Sequence, residues 1–120
     1  MKKLALLVVA SASLLTGCLK DPGEIVSVKT KNTAGEYTNT FAVGDTIFAE
    51  AAIADQTFEQ ISWSVTSDNA APFMLLSYNN TTAIYIAVST GTGNAQVKIE
   101  NCNNNSKCRQ EYADAMVTIQ

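Results

Sequence analysis

No histidine occurs in the 120 residues of this chain, and that absence excludes more chemistry than any residue present admits. Without imidazole, neither a Ser-His nor a Cys-His nucleophile system can be assembled. Basic clusters are missing as well. Lys and Arg number 8 against 11 Asp and Glu, and they are scattered, so nucleic acid is not expected as a partner. Gly91-Thr92-Gly93 lacks the lysine and the following helix of a phosphate loop. Loops holding Asp55, Asp68 and Asn69 leave weak calcium binding open, but no string of acidic residues has calcium-loop spacing. The carboxylate pairs close enough in sequence for glycoside-type acid–base work are Asp55 with Glu59 and Asp45 with Glu50. Asp45 reads more simply as a turn residue and Glu59 as a solvated charge. The inventory therefore predicts no catalytic residues, no cofactor and no metal site.

What is present begins at the N-terminus. Lys2 and Lys3 precede an unbroken apolar run from Leu4 to Ala10, and Ser11 to Leu15 is small or apolar. That is the anatomy of a secretory signal peptide, too short for a stable membrane span. The next residues, Leu15-Thr16-Gly17-Cys18, resemble the lipobox of bacterial lipoproteins. The resemblance implies cleavage before Cys18, which would carry a thioether diacylglycerol and a palmitate-type acyl group on its amine. Two or three acyl chains hold a protein firmly, each buried methylene adding ~0.8 kcal/mol. Leu19, where an Asp would retain a lipoprotein at the inner membrane, implies the cell outer membrane. Leu19-Lys20-Asp21 loosely resembles the export tag of surface lipoproteins, with Pro22 in place of a second acidic residue. The periplasmic and surface faces both stay open.

Residues 1–17 are thus expected as signal, 18–23 as lipidated cysteine and short tether, and 24–120 as one domain. Without the signal, Lys20, Lys29, Lys31, Lys98, Lys107 and Arg109 face all eleven acidic residues, so the lipid, not charge, would supply membrane contact. Cys102 and Cys108 remain as an even pair in an exported chain, and a disulfide is the expectation. A zinc site fails on ligand count. The five intervening residues, Asn103-Asn104-Asn105-Ser106-Lys107, are all polar. With Arg109 they form the candidate partner-binding loop at the neck of a hairpin.

The body of the chain alternates as strands do. Ile47, Ala49, Ala51 and Ile53 share one face, as do Ile61, Trp63 and Val65, then Ala95, Val97 and Ile99, then Ala113, Ala115, Val117 and Ile119. Ile84, Ile86 and Val88 are read as a further inward set, which places Tyr85 on an outer face, as the inward Ile47 places Phe48. There they would serve either cross-strand packing or an interface patch with Tyr37, Tyr78 and Tyr112. Ile25–Thr30 and Phe73–Tyr78 complete about seven strands. Turn residues separate them at Ala34-Gly35, Gly44-Asp45, Asp68-Asn69, Asn79-Asn80 and Thr90–Gly93. Asparagines in the turns are expected to adopt left-handed backbone, and Asp55 to Gln60 has room for one helical turn.

Such spacing predicts an all-β, antiparallel, immunoglobulin-like sandwich. Phe41-Ala42-Val43-Gly44-Asp45-Thr46-Ile47, Ile61-Ser62-Trp63-Ser64-Val65 and Gly93-Asn94-Ala95-Gln96-Val97-Lys98-Ile99 resemble strand motifs of the bacterial immunoglobulin-like domains. The antibody-type inter-sheet cysteine pair is absent. The resemblance implies a binding or spacer module without an active site. The expected function is a lipid-anchored cell-envelope module that recognises a protein or surface glycan through its loops. The competing readings are a structural subunit of a secretion or conjugation machine and a small periplasmic inhibitor or exclusion lipoprotein.

Overall fold

The computed structural model describes residues 21–102 and 107–120. The signal segment and Cys18 lie outside them. Eight strands follow in order: β1 (Glu24–Lys31), β2 (Thr40–Phe41), β3 (Thr46–Ala54), β4 (Gln60–Thr66), β5 (Phe73–Tyr78), β6 (Thr82–Ala87), β7 (Gly91–Cys102) and β8 (Cys108–Ile119). They form two four-stranded sheets, β1-β3-β6-β5 and β2-β8-β7-β4. All pairings are antiparallel except β2 with β8. This is the strand order of an immunoglobulin-like sandwich of the constant type, with β2 added beside the last strand. The seven expected strands are all present; β2, two residues long, is the addition.

Alternation places the core. In β7, Gly93, Ala95, Val97, Ile99 and Asn101 are buried while Asn94, Gln96, Lys98 and Glu100 are half-exposed. In β3, Ile47, Ala49 and Ala51 face in. Trp63 is buried between the sheets with Phe41, Phe73, Val97, Val117 and Ile119. Each large apolar side chain so buried contributes about 1.5–3 kcal/mol.

One strand reverses the expected parity. In β6 the inward residues are Ala83, Tyr85 and Ala87, and Ile84 and Ile86 face outward. Tyr85 is fully buried and packs edge-on against Phe73, ring centroids 5.3 Å apart. Small alanines on either side leave room for that aromatic pair, so volume, not aliphatic character, decides which face turns in. Val88 is exposed. Phe48 does lie on the outer face, half-buried and directly opposite Ile84.

The turns differ in detail from expectation. The β5–β6 turn is held by the Asn79 side-chain oxygen, which accepts from the Thr81 and Thr82 amides and the Thr82 hydroxyl. Asparagine acts there as an acceptor, the role of an Asx turn. Among the described residues the non-glycine residue with left-handed backbone is Asp55. Residues 55–59 hold no helical turn, and β7 already begins at Gly91, inside the stretch read as a turn.

Candidate functional site: the disulfide-necked end

The register of β7 and β8 runs unbroken from Gly91 opposite Ile119 to Cys102 opposite Cys108. The two cysteines are therefore delivered face to face and form the expected disulfide, with Cα atoms 4.0 Å apart. Of the candidate loop, Asn103, Asn104, Asn105 and Ser106 lie outside the described residues. Lys107 and Arg109 are exposed on its flank.

A polar brace supports the neck. Asn101 is 3% exposed; its side-chain oxygen accepts the Glu59 amide at 2.6 Å and its amide donates to the Thr57 carbonyl at 3.1 Å. The Glu59 carboxylate in turn accepts the Cys102 amide at 3.3 Å. These bonds fasten the β3–β4 connection to β7, and a buried asparagine without them would be costly. Sequence reading missed Asn101, since it sits in an asparagine-rich stretch; its parity with Ile99 was the available signal.

Glu100 stands beside the bridge. Lys98 pairs with it at 3.0 Å, and that hydrogen bond, with a second from Gln110, holds the carboxyl below the usual carboxylate range. Glu100 Oε2 is 3.3 Å from Cys102 Sγ, a packing contact, because a disulfide sulfur carries no proton. Glu100, Cys102 and Cys108 place their ligand atoms within 4.8 Å of one another. With both sulfurs in the disulfide, the group offers a metal one carboxylate.

The chain enters the domain at this same end. The Thr57 hydroxyl donates to the Asp21 carbonyl at 2.8 Å. Gly23 has φ +105°, and a Cβ there would lie 2.5 Å from the Asp55 carbonyl oxygen, so only glycine lets the two backbones meet. Between them and the start of β8 opens a cleft of about 740 Å³, lined by Asp21, Glu24, Asp55 and Glu111 with Arg109. Four carboxylates against one guanidinium make it acidic.

The remaining sequence candidates are dispersed. Asp45 accepts the Ala42 amide at 2.9 Å, a turn role. Glu50 pairs with Lys31 at 2.5 Å and accepts from the Tyr37 hydroxyl at 3.0 Å. Tyr37 also lies under Lys29 and Lys31. Tyr112 bonds Gln110, Tyr78 ends β5, and Tyr85 is in the core, so the tyrosines form no single patch.

No family model, curated protein or solved structure matches the chain. Its class is the one that the strand order defines, an all-β immunoglobulin-like sandwich with a stapled hairpin.

Proposed function

We propose that this chain is a lipid-anchored recognition module of the cell envelope that holds another macromolecule near the membrane. The observation that carries this reading is the shared end: the N-terminal lead at Asp21 and the disulfide-necked hairpin lie together, bridged by Thr57, which bonds both Asp21 and Asn101. Only Leu19 and Lys20 separate Cys18 from Asp21, a span of at most about 11 Å of extended chain. A lipid on Cys18 would set the Cys102–Cys108 neck and the acidic cleft beside the bilayer surface. The partner is a protein or surface glycan reached at that level, with Lys107 and Arg109 as polar contacts. Outer-membrane residence, and which face the domain occupies, belong to the same proposal.

Two measurements test it. Palmitate labelling of cells should mark the wild-type chain and be lost in Cys18→Ala; an unlabelled wild type ends the anchor reading. A photo-crosslinker at position 107 should capture one discrete partner that the same group at position 120 does not. Equal capture at both sites, or none at 107, rejects the loop as the contact.

A further inference from the structure

We infer that the free edge of β4 pairs antiparallel with β4 of a second copy of this chain, about a two-fold axis through Trp63. Every other sheet edge is guarded. β1 carries a register shift between Ile25 and Ser27, with Lys29 and Lys31 along it. β5 is shifted between Leu75 and Ser77. β2 is two residues long, and β8 below it carries Arg109 and Glu111. Bulges, charges and shortness are the devices that stop strands adding to a sheet. β4 has none of them: seven residues, from Gln60 opposite Glu100 to Thr66 opposite Asn94, in unbroken register and without charge or proline.

Its sequence is also a palindrome in chemical character. Gln60-Ile61-Ser62-Trp63-Ser64-Val65-Thr66 reads polar, aliphatic, serine, tryptophan, serine, aliphatic, polar in both directions. Antiparallel pairing about Trp63 sets Gln60 opposite the partner's Thr66, Ile61 opposite the partner's Val65 and Ser62 opposite the partner's Ser64. Polar meets polar on the outer face, and β-branched meets β-branched on the core face, where Ile61 and Val65 are now only partly buried. A strand lacking charge brings no like-charge repulsion to its own image, and a two-fold contact closes at two copies. The edge is also accessible. A cleft of about 590 Å³ lies beside Gln60, Ile61 and Ser62, walled by Tyr78 and Asn80. The Ser64 carbonyl accepts the Tyr85 hydroxyl and keeps a second lone pair for a partner amide.

Cysteine pairing in the full-length chain tests the register. Chains with Ser62→Cys and chains with Ser64→Cys, bearing tags of different size, should form a disulfide-linked heterodimer when expressed together. Neither should cross-link alone, because like positions sit diagonally, roughly 7–8 Å apart, beyond disulfide reach. Peptide mapping would place the bond at 62–64. Ser62→Lys/Ser64→Lys should convert the detergent-solubilised chain from dimer to monomer in sedimentation, with an unchanged all-β spectrum. No heterodimer on co-expression, equal cross-linking by single variants, or a bond from these positions to a different protein would each overturn the inference. Should the lysine variant fail to fold, the cysteine result decides alone.

Discussion

The hydroxyl of Tyr85 donates to the carbonyl oxygen of Ser64 at 2.8 Å, linking the middle of one sheet to the edge strand of the other. The ring itself is fully buried against Phe73. Tyr85→Phe keeps the packing and removes only that bond, so it should cost about 1 kcal/mol in urea unfolding. A cost near zero would mean that the bond does not contribute.

The same residue predicts an alkaline limit. Burial holds the Tyr85 phenol well above the ordinary tyrosine range. Above pH 10.0, the ordinary value, the unfolded chain gives up this proton while the folded chain keeps it. Stability should then fall as pH rises. Spectrophotometric titration should find one of the four tyrosines ionising only with loss of near-ultraviolet circular dichroism.

Trp63 is 4% exposed, and its indole nitrogen has no hydrogen-bond partner among the described residues. Removing an unsatisfied buried donor offsets part of the packing lost on truncation. Trp63→Phe should therefore cost roughly 1–2 kcal/mol, against about 3–5 kcal/mol for Trp63→Ala. Thermal melts of the pair measure the gap, which reports the packing that a phenyl ring retains because both variants lack the indole nitrogen; equal losses would show that the ring recovers none of it.

Glu50 makes stability acid-sensitive. Its hydrogen bond from Lys31 lowers its pKa from the ordinary 4.5. Stability from this pairing is complete above that value and disappears as pH falls through the lower folded one. Both groups face solvent, so the effect is small. The melting temperature of Glu50→Gln should fall less than that of the wild type between pH 7 and pH 3.

Replacing both Cys102 and Cys108 by alanine should cost about 2 kcal/mol, since the bridge closes a short ring. The rest of the hairpin stays registered through Glu100–Gln110 and beyond. Cleavage by protease within 103–107 should accelerate more than global unfolding does, and an unchanged cleavage rate would separate the loop from its staple.

Most of the sandwich was legible because alternation fixes a face wherever one side is apolar and the other polar. β4 and β7 read directly on that ground. β6 did not, because Thr82-Ala83-Ile84-Tyr85-Ile86-Ala87 is apolar on both faces; a one-residue change of phase then exchanges every side chain. What fixes its phase is the pairing of Ile84 with Phe48 and the space that Ala83 and Ala87 leave, and neither is local. β2 was invisible for a similar reason, since two residues hold no period. The disulfide was legible from counting. The brace at Asn101, which depends on a turn more than forty positions earlier in the chain, was not.

The brevity of β2 also bears on how the molecule is assembled. β7 and β8 are neighbours in sequence and close as a hairpin on a fast, local timescale. The Thr118 amide, by contrast, donates to Asn39, and the Gln120 amide to Phe41. A chain made from its N-terminus holds Phe41 without its cover until residues 118–120 have followed. Contacts so distant come late in folding, because the loop must close before they repay it. The parallel clasp is therefore the last stitch of the sheet, and variants at Thr40 or Phe41 should change the unfolding rate more than the folding rate.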